Sequence, residues 1–179
     1  MSESVVPLLA RLRVFLGFVF GAVAFWCAQP TPGALVVGAA VASLGEAIRI
    51  WAAGHLNKSR EVTSSGPYRW CAHPLYVGST VMGAGLAIAS GSLLVAVLIA
   101  VYLAVTLTAA VSNEEAFLRR TFGEQYVRYR HGDPSGTRTH DGAGVRRFSL
   151  TQAIANREYR AVLGLLAAVL LLALKATYN

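Results

Sequence analysis

Apolar residues occur along this chain in long unbroken blocks, with the polar residues gathered between them. Such blocks suit helices that are apolar on every side, and about 20 residues of helix cross roughly 30 Å of hydrocarbon. The first block runs from Val14 to Ala28, and the second from Ala34 to about Leu56, where Glu46 and Arg49 interrupt it. From Leu75 to Ser112 there is no charged residue. The Ser90-Gly91-Ser92 turn divides that stretch into two spans of about 18 to 20 residues, a tight helical hairpin. A fifth block, Ala161 to Leu174, is short, but Arg160 and Lys175 can snorkel to the two interfaces beside Tyr159 and Tyr178. The pattern predicts an all-α polytopic membrane protein. It forms a single membrane domain over 1–179, with spans near 12–28, 34–56, 74–89, 92–112 and 159–176 and a cytoplasmic segment over 113–158.

Punctuation refines this. Pro74 suits the first turn of the third span, where its missing N–H costs nothing. Ser112 or Asn113 can cap a new helix with Glu114 and Glu115 in its first turn, or span four simply continues. Phe117, Leu118, Phe122 and Tyr126 make an apolar stripe suited to a membrane interface. His131 to Gly144 is rich in Gly, Asp, Thr and Pro and reads as a loop. Asn156 to Arg160 reads best as a capped, charged helix start. The alternative is that Arg157 or Glu158 closes a pocket.

Composition agrees. The chain is 55% hydrophobic and only 14% charged, where a soluble domain carries about 25% charged residues. The net charge of +7 would suit nucleic acid, but the basic residues lie in loops between apolar blocks, which argues against that partner. Lys and Arg are missing from the turns at Gln29–Gly33 and Ser90–Ser92. They occur at Arg11 and Arg13, at Lys58, Arg60 and Arg69, and from Arg119 to Arg160. The bias toward positive charge inside the cell places the N-terminus in the cytoplasm and the C-terminus outside, in a bacterial inner membrane. No small-x-small site follows Trp26, so the first block is expected to stay on the protein. Cys27 and Cys71 fall on opposite faces of the bilayer, which excludes a disulfide between them, and no metal-ligand spacing is present.

Three groups converge on the inner face: Gly66-Pro67-Tyr68-Arg69 with His73-Pro74-Leu75-Tyr76-Val77-Gly78, then Glu114-Glu115, then Phe122-Gly123-x-x-Tyr126-x-x-Tyr129. Each has an ordinary explanation alone: a turn, a helix-dipole complement, interfacial tyrosines. In this order and spacing they resemble the isoprenylcysteine carboxyl methyltransferases and the related phospholipid methyltransferases. The resemblance runs from about Leu44 to Arg130, and Arg49-Ile-Trp51-Ala52-Ala-Gly54-His55-Leu-x-Lys58 also looks like bacterial members. It implies S-adenosylmethionine as cofactor, with His73, Pro74, Tyr76, Gly78, Glu114, Tyr126 and Tyr129 around it. Tyrosine faces would attract the sulfonium, a glutamate would take the ammonium, and His73 would donate to the carboxylate or ribose. Glu115 is the candidate base for an amine acceptor, whereas a carboxylate acceptor needs none. The family's Arg before His-Pro is Ala72 here, so Arg69 or another basic residue would have to serve the cofactor carboxylate.

Glu46 and Arg49 lie three apart, on one face of the second span. Ionisable residues this deep are functional candidates by default, which places the pair on the wall that receives a lipophilic acceptor entering from the bilayer. The alternative is a mutually satisfied pair that fixes helix packing. Two other functions stay open: a catalytically silent lipid-binding protein and a sterol-reductase-like enzyme using a nicotinamide cofactor. Gly and Ala along spans two to four permit close packing within one chain or between chains, so oligomeric state is not legible.

Overall fold

The computed structural model describes residues 5–57, 63, 65–124, 126–127 and 147–178. Lys58, Arg60, Tyr129 and the 131–144 loop lie outside the described residues, and of Arg11 and Arg13 only the helical backbone is described. The protein is an all-α integral membrane protein. Its helices are α1 (Val5–Cys27), α2 (Pro32–His55), α3 (Pro74–Ala89), α4 (Leu93–Phe122), α5 (Leu150–Ala155) and α6 (Tyr159–Tyr178), with a 3-10 turn at Gly66–Arg69.

Local chemistry starts several of these helices. Pro32 opens α2 behind Thr31, whose hydroxyl accepts from the Ala34 N–H at 3.3 Å. Pro74 opens α3, and Ser92 caps α4 by accepting from Val95 N–H. Helix α4 does not end at Ser112. It runs on to Phe122, 30 residues in all, so neither Ser112 nor Asn113 is a cap. Among the described residues α2, α4 and α6 are long and apolar enough to cross a membrane, while α3 and the stretch Gly17–Cys27 are shorter. Sixteen residues give α3 a length of about 24 Å.

The centre of the bundle is the antiparallel pair α2–α3. Gly38, Ala42, Gly45 and Arg49 face Ala89, Gly85, Met82 and Gly78 in turn. This small-residue spacing lets two backbones touch. A methyl group built on Gly45 would lie 2.3 Å from the Met82 amide nitrogen, and one on Gly85 would lie 2.2 Å from that of Ala42. At one end of the pair the two turns without Lys or Arg meet. Gln29 N–H donates to Ser90 O at 2.7 Å, and Gly91 adopts a left-handed φ of 61° against the Gln29 carbonyl. Beside them Ala28, Ala89 and Leu172 form a small core with Leu35. Lys175 closes the same end by donating to the carbonyls of Phe25 (2.6 Å) and Trp26 (2.8 Å) in the last turn of α1. Large apolar side chains stay exposed along α4 (Leu93, Val97, Val101, Val105) and α6 (Leu163, Leu166, Leu170), as lipid-facing surfaces require.

At the opposite end α5 folds back over the end of α2. Ser149 N–H donates to Gly54 O, Gln152 Nε2 to Leu56 O, and Asn156 Nδ2 to both Ala53 O (2.8 Å) and Leu56 O (2.9 Å). Carbonyls at the end of α2 and at its cap are thus satisfied by backbone and side-chain donors about a hundred residues away.

Candidate active site at the polar end of the bundle

Two clusters of charge form at this end. The first sits where α3 begins and α4 passes alongside it. His73 immediately precedes α3 and caps it without a side-chain bond. One imidazole nitrogen faces Glu115 Oε1 at 3.3 Å and the other faces Glu114 Oε2 at 3.7 Å. Arg119, one turn along α4, reaches Glu115 Oε2 at 3.8 Å. The Tyr76 ring lies 5.7 Å from the imidazole. Because α4 continues past residue 112, Glu114 and Glu115 are not in a first turn, and the helix dipole does not account for them. Their partner is His73.

That partnership is mutual. Glu114 raises the His73 pKa above its usual 6.5, Glu115 adds to the effect, and partial burial opposes both. A histidine raised on folding contributes stability that is complete below pH 6.5 and is lost as pH rises through its higher folded value. The expected result is that wild-type protein melts above His73→Gln at pH 6 and that the gap narrows by pH 9. A constant gap in thermal melts across that range would mean that the imidazole is not paired with these carboxylates.

The second cluster meets α3 further along, at Ser79. Arg49 binds three groups: Glu46 at 3.4 Å through Nε, Glu158 at 2.6 Å through Nη2, and the Ser79 hydroxyl through Nη1. Glu46 and Glu158 are both buried. Sequence reasoning placed Glu46 and Arg49 together correctly, but it preferred a charged, solvated start to α6 and so missed Glu158 as the third member. The signal that identifies Glu158 is conformational. Arg157 has a left-handed φ of 63°, unusual for a non-glycine residue, and this bend turns Glu158 inward.

Of the other predicted site residues, Pro74 sets the start of α3, and Tyr126 is fully buried just beyond α4. Gly78 is explained by packing against α2, since a side chain there would meet Arg49 Cγ at 2.6 Å and Gly45 O at 2.7 Å. Gly66, at φ 58°, lets the 3-10 turn pass over the buried His55 ring. Arg69, at the end of that turn, is exposed. Cys27 and Cys71 are both free thiols.

The fold and these clusters define a class: a polytopic helical membrane protein with paired carboxylates and a histidine where two central helices meet the polar end. The chain belongs to the phospholipid methyltransferase family, whose model matches residues 12–125 and therefore includes His73, Glu114 and Glu115. It is 34% identical over 91 residues to the nickel-cobalt-cadmium resistance protein NccN of Alcaligenes xylosoxydans, covering 50% of this chain and 41% of that protein. To the cobalt-zinc-cadmium resistance protein CzcN of Cupriavidus metallidurans it is 31% identical over 125 residues, 65% of this chain and 58% of the other. To the protein-S-isoprenylcysteine O-methyltransferase of Schizosaccharomyces pombe it is 27% identical over 123 residues, 69% and 50% of the two chains. The chain spans about half the length of the curated relatives it matches. No solved structure matches it.

Proposed function

We propose that this protein transfers a methyl group from S-adenosylmethionine to a lipophilic acceptor that reaches the site from the bilayer. The observation that carries this reading is the His73–Glu114–Glu115 cluster, lying within the part of the chain that matches the family model. The donor set fits the cofactor's chemistry: two carboxylates suit an ammonium and a neighbouring sulfonium, aromatic rings suit the sulfonium, and an imidazole N–H suits a carboxylate or ribose. When bound, S-adenosylmethionine supplies an electrophilic methyl group whose bond to sulfur breaks as the acceptor's lone pair attacks, leaving a neutral thioether.

Glu114 and Glu115 are assigned to the cofactor's cationic end, with Tyr76, Tyr126 and Tyr129 as its aromatic surroundings. His73 holds the carboxylate or ribose, with Arg69 as the nearest basic residue in sequence to the position that Ala72 vacates. Pro74 and Gly78 shape the start of α3. Glu115 accepts the proton if the acceptor is an amine, and a carboxylate acceptor leaves it no such task. Positioning of donor and acceptor in line supplies much of the rate. The polar end is assigned to the cytoplasm, where a water-soluble cofactor is available, and the membrane to the bacterial inner membrane.

The test is isothermal titration of the detergent-purified full chain with S-adenosylhomocysteine. Wild-type protein is expected to show saturable binding that His73→Ala/Glu115→Ala loses. Folded wild-type protein that binds nothing would overturn the proposal.

A further inference from the structure

We propose that His73 is a specificity-determining residue that sets how strongly the site prefers S-adenosylmethionine to S-adenosylhomocysteine, the neutral imidazole favouring the methyl donor and the charged imidazole favouring the product. The inference rests on the methyl-transfer reading above and goes beyond it, because it assigns a basis for releasing the spent cofactor. The two molecules differ by one methyl group and by the one positive charge of the sulfonium. A site tells them apart by charge only through groups close to that sulfur.

Among the described residues, the groups that face the imidazole come from α3 and α4. From α4 come Glu114 at 3.7 Å and Glu115 at 3.3 Å, with Arg119 on the far oxygen of Glu115. From α3 comes Tyr76, its ring 5.7 Å away. Arg69 and Cys71 precede His73 on the chain and, among the described residues, make no hydrogen bond or ion pair with it. Histidine is the side chain whose charge ordinarily changes in the neutral range. A proton on His73 adds one positive charge beside Glu114 and Glu115 and weakens their pull on a further cation. The neutral imidazole leaves that pull undiminished, which favours a sulfonium and is indifferent to a thioether. The same geometry that pairs the imidazole with the carboxylates therefore makes its proton a competitor of the methyl donor's charge. A unit charge within several ångströms, at the effective dielectric of a protein surface, shifts an equilibrium on the order of tenfold.

Linkage makes the effect readable from either side, since a ligand that disfavours the proton is disfavoured by it to the same degree. Both ligands are titrated calorimetrically into the full-length protein in detergent between pH 6 and 9, with His73→Gln as the comparison. The variant carries the ligands' own ionisations, so the difference between the two proteins is the readout. The affinity ratio of S-adenosylmethionine to S-adenosylhomocysteine is expected to rise about tenfold more across this range in wild type than in His73→Gln. Where the variant does not fold or binds neither ligand, ring-labelled histidine NMR of wild-type protein reads the same coupling: the His73 resonance titrates at lower pH with S-adenosylmethionine bound than with S-adenosylhomocysteine. Equal pH dependence of the ratio in the two proteins, or equal His73 titration with both ligands, overturns the inference and leaves methyl transfer standing. Binding of neither ligand by folded protein overturns the methyl-transfer reading itself.

Discussion

Gly45→Ala is expected to destabilise the protein by about 3 kcal/mol, the upper part of the range for overpacking a tight contact, whereas Gly164→Ala is expected to be neutral or slightly stabilising. Both replacements add one methyl group to a membrane helix. At Gly45 that methyl would sit 2.3 Å from the Met82 amide nitrogen and 2.7 Å from Gly78 O, and these are backbone atoms that no rotamer change can remove. The helices would have to separate. Separation would also pull apart the Gly38–Ala89 and Gly85–Ala42 contacts, because all lie along one seam. At Gly164 nothing lies within 4 Å, so alanine there meets open space and gains the conformational advantage of about 0.4–1 kcal/mol that it holds over glycine. Thermal melts of the two variants in one detergent decide the matter. If they melt together, α2 and α3 do not approach as closely as described. Since His73 stands at the head of α3, a loosened seam also predicts weaker binding at the cofactor site.

The seam illustrates what the sequence made legible. The apolar blocks and their polar breaks mark where the long helices lie, since a bilayer demands nearly uninterrupted apolar length, but α1 starts at Val5 and α4 ends at Phe122, well outside the apolar blocks. Pro74 marks the start of α3 through short-range chemistry that one chain segment contains by itself. Two features were not legible for a common reason, namely that they depend on residues far apart in the chain. Asn156 and Gln152 cap α2 from about a hundred residues away, so the polar segment before the last span reads as no more than a capped, charged helix start until the fold is known. Glu158 likewise looks like an ordinary acidic residue at a helix start, and only the left-handed turn at Arg157 directs it to Arg49. The extent of α4 is a third case. Ser112 and Asn113 are good capping residues, but a helix already formed and packed continues through them, because capping residues stop a helix only when the chain beyond gains by turning. That continuation places Glu114 and Glu115 on a rigid element beside His73, which loop residues after a true cap would not have secured.

The buried arginine yields the second large effect. Arg49→Met is expected to cost about 3–5 kcal/mol, the usual penalty for removing one partner of a buried charge network. Glu46 and Glu158 would be left as two carboxylates with no cation between them, both buried in the bundle. Glu158→Gln is expected to cost less, because Glu46 still pairs with Arg49 and an amide still offers an oxygen to Nη2. The combined change Arg49→Met/Glu158→Gln should then be less damaging than the sum of its parts, since each replacement removes a charge that the other leaves stranded. This non-additivity separates the two readings of Glu46 and Arg49. All three guanidinium nitrogens lie close to protein groups, Nε and Nη2 at ion-pair distance from Glu46 and Glu158 and Nη1 on the Ser79 hydroxyl, and this arrangement supports the pair as a clamp joining α2, α3 and the start of α6. A residue on the acceptor wall would instead keep an edge for its ligand, and Glu46→Gln would change acceptor preference more than melting temperature. Melting the three Arg49 and Glu158 variants beside Glu46→Gln distinguishes these outcomes. Strong coupling with a lowered melting temperature in Glu46→Gln identifies the clamp. Additive effects, with Glu46→Gln melting as wild type, would return the pair to the acceptor.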